Sequence, residues 1–449
     1  MSDSALFAKY DVPVPRYTSY PTVPHWAKTP TLAEWADSLN RALAAPDASI
    51  AIYVHLPFCE SLCTYCGCNT VITKDHGRAA PYIDLVLAEL DRYLAIAPGL
   101  AGRPIGQVHL GGGTPTFMAP ETLGHMLQGI SDRLPLREGA FEGSIEVDPR
   151  VTTTAHLETL RAHDITRISL GVQDVDPDVQ DLVNRHQPVD MTERLCTAAR
   201  ALGYESINFD LIYGLPGQTE ASMKRLGDEV VRLAPDRLAV YSFARVPWIK
   251  PQQRKFKDDQ IPSGAEKRAL YETIRTPLDE AGYIEIGLDH FARPNDGLAR
   301  SAAAGTLHRN FMGYAERKTT IMIGLGVSAI SETPDCYHQN DKIITVYDRR
   351  VRKNELPTFR GHCLTKDDEK QRATIWRIMT TFHTTLDREE LDAAAESLQP
   401  LIDDGLVAVD GLELHVLPAG RPFLRNIAAC FDAYVQHKPT SGPLYSTSA

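Results

Sequence analysis

Ile50-Ala-Ile-Tyr53-Val-His-Leu-Pro-Phe-Cys59-Glu-Ser-Leu-Cys63-Thr-Tyr65-Cys66-Gly-Cys68-Asn69 carries a short apolar run straight into a loop holding four cysteines. Ala51 to Leu56 reads as a buried strand, because it is short, apolar and bounded by Pro57. Half of the chain's 8 cysteines lie between positions 59 and 68. Neither core packing nor a disulfide framework requires that crowding in a chain of 449 residues. The loop therefore predicts a metal site. Structural zinc sites usually pair two short clusters separated by about a dozen residues or more, whereas Cys196, Cys336, Cys363 and Cys430 stand singly. A Cys-x3-Cys-x2-Cys loop suits three corners of an iron–sulfur cubane, leaving the fourth iron open for catalysis. Zinc and a disulfide framework are the alternatives. In the cluster reading Cys68 is a spare thiol.

Composition bounds the rest. With 43% hydrophobic residues, the chain can bury a large core, enough for one big domain and a smaller one. A formal charge of −11 argues against a protein that coats nucleic acid, so an anionic ligand must be met by local arginines. Met1–Tyr10 lacks the basic-then-apolar layout of a secretory signal, and no apolar stretch is long enough to span a bilayer. A cytoplasmic protein, where thiols stay reduced, is expected.

A strand-then-helix rhythm runs from about Ser49 to Ile286. Strands are predicted at Ile50–His55, Ile105–Leu110, Ser144–Val147, Arg167–Val172, Ser206–Ile212 and Arg237–Phe243. The clearest helix is Tyr82–Ala97, where Ile83, Val86, Leu87, Leu90, Tyr93 and Leu94 recur at helical spacing before Pro98-Gly99. Alternating units imply a parallel sheet with right-handed crossovers, as a partial six-unit barrel or a full eight-unit one. In both, the loops after the strand C-termini carry the chemistry. Gly111-Gly112-Gly113-Thr114 follows the second strand, where backbone could approach a ligand without Cβ interference. Glu146 and Asp148 end the third strand, Gln173 and Asp174 the fourth, and Asp210 the fifth. Each alone could be a loop carboxylate or helix cap, and their common placement is what points to a site. Beyond about residue 345, Lys366–Thr381 and a segment from Asp387 read as helices, followed by a hairpin at Val407–His415 with an Asp410-Gly411 turn. That pattern predicts a winged-helix-like domain that caps the barrel, since acidic residues interrupt any basic stripe.

The Cys-x3-Cys-x2-Cys loop after a strand resembles the radical S-adenosylmethionine superfamily, and the run Tyr53 to Asn69 resembles its oxygen-independent coproporphyrinogen III oxidases. Further matches are Pro15-Arg-Tyr-Thr-Ser-Tyr-Pro-Thr22, Asn208-Phe-Asp-Leu-Ile-Tyr-Gly-Leu-Pro216, Asp289-His-Phe-Ala-Arg-Pro294, Leu307 to Tyr314, Gly326 to Ser331 and Cys430-Phe-Asp432, so the likeness runs nearly end to end. Arg245 departs from the pattern, standing where the family commonly has histidine.

The resemblance implies an α/β fold: a partial (β/α)6 radical-SAM barrel over 36–345, an N-terminal arm over the active site at 1–35, and a mostly helical, winged-helix-like domain at 346–449. It implies a [4Fe–4S] cluster on Cys59, Cys63 and Cys66, and S-adenosylmethionine, with two molecules expected. Tyr53, Tyr65, Gly112, Gly113, Thr114, Glu146, Gln173, Arg185, Asp210, Ala244 and Ile330 are its implied cofactor contacts, Arg185 because an arginine fork suits a carboxylate. Arg16, Arg293 and Arg309 are candidate anchors for a polyanionic macrocycle. The implied reaction turns two propionates of coproporphyrinogen III into vinyl groups through a 5′-deoxyadenosyl radical, in haem biosynthesis. A monomer served by a reducing donor of flavodoxin or ferredoxin type, with no nucleic-acid or membrane partner, is expected. The alternatives are a haem-binding chaperone-type relative and a radical methyltransferase or haem-degrading enzyme of the same subgroup.

Overall fold

The computed structural model describes residues 3–26, 29–436 and 444–448; residues 1–2 and 27–28 of the expected arm, and 437–443 and 449 of the expected C-terminal domain, lie outside it. The six strands read from the sequence stand side by side in chain order: β1 (Ile50–Leu56), β2 (Ile105–Gly112), β3 (Glu142–Val147), β4 (Ile165–Gln173), β5 (Ser206–Tyr213) and β6 (Arg237–Ser242). Every neighbouring pair among them is parallel. The sheet continues through β7 (Ile284–Ile286), β8 (His290–Ala292), β9 (Ile321–Leu325), β10 (Ile330–Thr333), β11 (Cys336–Asn340) and β12 (Thr358–Cys363). Its spatial order is β12-β11-β10-β9-β1-β2-β3-β4-β5-β6-β8-β7. The terminal strands β12 and β7 do not pair with each other, so the barrel stays open. β9 adds a seventh parallel strand, on the far side of β1. The strand–helix rhythm misses it because β9 runs into the antiparallel strand β10 rather than into a helix.

Period two sorts each strand's side chains into two layers. Ile50, Ile52, Val54 and Leu56 of β1 join the main hydrophobic core with Val108 and Leu110 of β2 and Ile145 and Val147 of β3. The intervening residues Tyr53, His55, His109 and Glu146 line the central cavity. Burial of β1 on both faces explains its nearly continuous apolar run. The helix Ala79–Ile96 covers this layer with Ile83, Val86, Leu87, Leu90 and Tyr93. It begins three residues before the expected Tyr82, since Pro81 in its first turn removes only an N–H that has no intrahelical partner.

The chain leaves the sheet after β12 and builds a second core. The helices Lys366–Thr381 and Arg388–Asp403 pack with a three-stranded antiparallel sheet, His383–Thr385, Glu413–Val416 and Val407–Asp410, with Glu413–Val416 in the middle. Gly411 turns the expected hairpin with φ of +61°, a conformation favoured by glycine. Leu6, Phe7, Tyr10, Tyr17 and Tyr20 belong to this same core, so the N-terminal segment is built into the C-terminal unit. Among the described residues, no helix is long and apolar enough to cross a membrane.

Candidate active site

The cysteine loop leaves the C-terminal end of β1 and is pinned by its backbone. Thr64 N–H donates to Val183 O at 3.0 Å and Cys66 N–H to Cys63 O at 3.1 Å, while Gln252, Gln253 and Lys250 donate to the carbonyls of Cys66, Tyr65 and Cys68. None of the four thiols is in a disulfide. Cys59, Cys63 and Cys66 line a cavity of about 280 Å³ together with Gly112, Gly113, Thr114, Gln173, Arg185 and Asp210. Two guanidinium groups face Cys63: Arg150 and Arg185 each place an Nη 3.7 Å from its sulfur. Cys68 hydrogen-bonds to Cys66 and draws that thiol below its ordinary range, with Lys250 and Arg185 adding to the effect. The same bond, together with burial, pushes Cys68 upward. Burial raises Cys59 to about 11, and Thr114 Oγ1 lies 3.3 Å from its sulfur. This donor set suits a thiolate-held, electron-accepting group, because nearby cations and hydrogen bonds stabilise negative sulfur.

Arg185 shows a second kind of fit. Its Nη1 donates to Asp148 at 3.1 Å and its Nη2 to Gly171 O at 2.5 Å, while its buried Nε has no hydrogen-bond partner among the described residues. An orphaned donor of this kind is costly unless a ligand accepts from it. The glycines act by close approach. A Cβ on Gly112, whose φ is +114°, would stand 2.7 Å from the His55 ring, and one on Gly113 would stand 2.6 Å from Pro57 O. Glu146 accepts from Gly112 N–H at 3.1 Å. Burial opposes its ionisation, but His109 and that N–H outweigh it and hold the carboxyl below its ordinary range. Asp210, bonded by Ser169 and Asn208, is instead raised to about 6 by burial and by the charge of Glu146. His55 donates from Nε2 to Asn69 O, leaving Nδ1 to accept from Tyr53 OH at 3.1 Å, and burial keeps the ring neutral by lowering its pKa.

A larger cavity of about 660 Å³ adjoins the first, sharing Tyr65, Cys66, Cys68, Glu146 and Tyr241 with it. Tyr53, Ala244 and Ile330 line this larger space, as do Arg16 and Arg309. The two cavities thus collect every implied cofactor residue and two of the three candidate anchors. Arg293 is not among the lining residues: its Nε donates to Pro235 O and its guanidinium covers the Tyr283 ring. Arg245 also turns away, pairing with Asp258 and donating to Phe256 O, so the cavity receives Val246 at that corner. Arg16 pairs with Asp289, whose carboxyl is held far below its usual range by Arg16, His290 and Arg309 although burial opposes this. Sequence reasoning passed over Tyr241, His109 and His290. The first two carry the period-two signal of β6 and β2, and His290 lies within the quoted Asp289–Pro294 match. Arg150 carries no local signal.

The Radical SAM superfamily model matches residues 53–230, the stretch that supplies the cysteine loop and strands β1 to β5. An oxygen-independent coproporphyrinogen III oxidase from Escherichia coli is 40% identical over 446 residues, covering 97% of this chain and 96% of that one. The enzyme of the same name from Pseudomonas aeruginosa is 38% identical, with 96% of each chain covered. The chain belongs to the oxygen-independent coproporphyrinogen III oxidase family. The solved structure of the Escherichia coli coproporphyrinogen III oxidase, described as a radical SAM enzyme, superposes with a TM-score of 0.88 over 93% of this chain and 97% of that one, at 38% identity. The oxidase fold therefore extends from the barrel through the C-terminal unit.

Proposed function

We infer that this oxidase-family chain catalyses the oxygen-independent oxidative decarboxylation of two coproporphyrinogen III propionates to vinyl groups, yielding protoporphyrinogen IX. The observation that carries this reading is the pair of adjoining cavities, one lined by Cys59, Cys63 and Cys66 and the other by Arg16 and Arg309. When bound, a [4Fe–4S] cluster and S-adenosylmethionine would supply the radical chemistry that hydrogen removal from a propionate β-carbon requires. Cys59, Cys63 and Cys66 would hold the cluster. The Nε of Arg185 and the backbone at Gly112 and Gly113 would receive the polar end of the cofactor, and Tyr53, Ala244 and Ile330, which line the larger cavity, would contact a second cofactor molecule there. Arg309 donates to Tyr17 O and Arg16 O and leaves its buried Nη1 without a partner among the described residues, which supports a role in donating to a substrate carboxylate. The protein's part is to orient the macrocycle and exclude water and oxygen from the radical. The need for an electron supports a small reducing protein as donor, and the reduced thiols of the loop support a cytoplasmic location. Nothing in the reaction calls for a second subunit, which supports a monomer.

The test is an anaerobic incubation of cluster-reconstituted protein with S-adenosylmethionine, a chemical reductant and coproporphyrinogen III. Protoporphyrinogen and 5′-deoxyadenosine should form together, and both should vanish in Cys63→Ala. Deoxyadenosine without a vinyl product would overturn the substrate assignment and leave the radical chemistry standing.

A further inference from the structure

Cys336 and Cys363 are 27 residues apart in sequence, yet β11 and β12 pair antiparallel with these two residues directly opposite each other. Leu364 N–H donates to Asp335 O at 2.8 Å, the ladder bond that brackets a non-hydrogen-bonded pair. In such a pair the Cα atoms approach to about 4.5 Å, inside the roughly 4.4–6.8 Å span of a disulfide. The two sulfurs lie 2.7 Å apart and both thiols are free. Cys336 is buried, while Cys363 is exposed on the edge strand of the sheet. Neither lines the two active-site cavities.

We propose that Cys336 and Cys363 form a reversible disulfide site that reacts with peroxides and ties edge strand β12 to β11 just before the chain enters the helix Lys366–Thr381. Burial and the hydrogen bond with Cys363 keep the Cys336 thiol protonated, and exposure makes Cys363 the sulfur that meets the oxidant. The Cys363 thiolate attacks one oxygen of hydrogen peroxide, the O–O bond breaks, and the departing hydroxide takes up a proton to leave as water. The Cys336 sulfur then displaces the oxygen of the sulfenic acid, and its thiol proton leaves with that oxygen as a second water. Two thiols lose two electrons and one peroxide gains them.

The test is peptide mapping of the full-length, cluster-loaded protein, prepared without oxygen, exposed to hydrogen peroxide, alkylated in denaturant and cut with trypsin without reductant. Peptides 319–342 and 361–366 should appear joined through Cys336 and Cys363, and dithiothreitol should separate them. In Cys336→Ser, Cys363 should run on to the sulfinic acid, because the resolving sulfur is gone. Recovery of both cysteines as alkylated thiols after peroxide would overturn the proposal. So would wild-type Cys363 accumulating as sulfinic acid beside an alkylated Cys336.

Discussion

Arg185 joins the cluster loop to the sheet: one side chain reaches Cys63, Asp148 and Gly171 O. Lysine keeps the charge but cannot reproduce this fork. Arg185→Lys should lower deoxyadenosine formation by about tenfold or more, the worth of one or two charge-assisted hydrogen bonds, while iron content holds. Equal rates in wild type and variant would remove Arg185 from cofactor binding. Cys68 makes the opposite case. Cys59, Cys63 and Cys66 already bring three thiols to the cavity, so Cys68→Ser should retain the iron and the visible absorption of the cluster. Loss of iron in that variant would make Cys68 a ligand.

At the scale of elements, Glu89 links three of them. From the helix Ala79–Ile96 it accepts from Gly326 N–H after β9, from Asn340 at the end of β11, and from Tyr347 OH. Burial raises its pKa from 4.5 to about 7, against the pull of these three donors. A folded-state value above the unfolded one means the native protein binds the extra proton. This contribution is complete below pH 4.5 and is lost as pH rises to about 7. Glu89→Gln should flatten the fall in urea stability across that window; an unchanged slope would assign the pH dependence elsewhere. The arm behaves as a second element, because Arg309 holds the carbonyls of Arg16 and Tyr17. Arg309→Lys should raise KM for coproporphyrinogen by about tenfold, the loss of one charge-assisted bond, with substrate-free cleavage of S-adenosylmethionine unchanged. Unaltered KM would exclude Arg309 as an anchor.

For the whole molecule, the telling feature is that the first and last parts of the chain share a core. Phe7 packs against Phe423 with ring centroids 4.8 Å apart and the rings tilted by 37°, and Arg425 donates to Pro15 O at 3.0 Å and to Val14 O. Phe7→Ala should therefore cost about 3 kcal/mol of stability, as for other buried aromatic truncations. Limited proteolysis should then cut first in the C-terminal unit, with the cluster still bound in the barrel. First cleavage within the barrel would place Phe7 in the wrong core.

The six parallel strands, the helix over them and the carboxylates at strand ends were legible in the sequence, because they rest on local periodicity: two residues per strand repeat, a helical stripe, and punctuation by glycine and proline. The cysteine loop was legible for the same reason, since all three proposed ligands lie within one short turn of chain. What local pattern cannot carry is a meeting between distant segments. β9 closing on β1, the N-terminal segment packing inside the C-terminal core, Arg293 facing Tyr283 instead of the cavity, and Arg150 reaching Cys63 all depend on how the elements pack. Cys336 and Cys363 show this most plainly: two single cysteines in sequence, they become sulfur neighbours only because strand register sets them opposite each other.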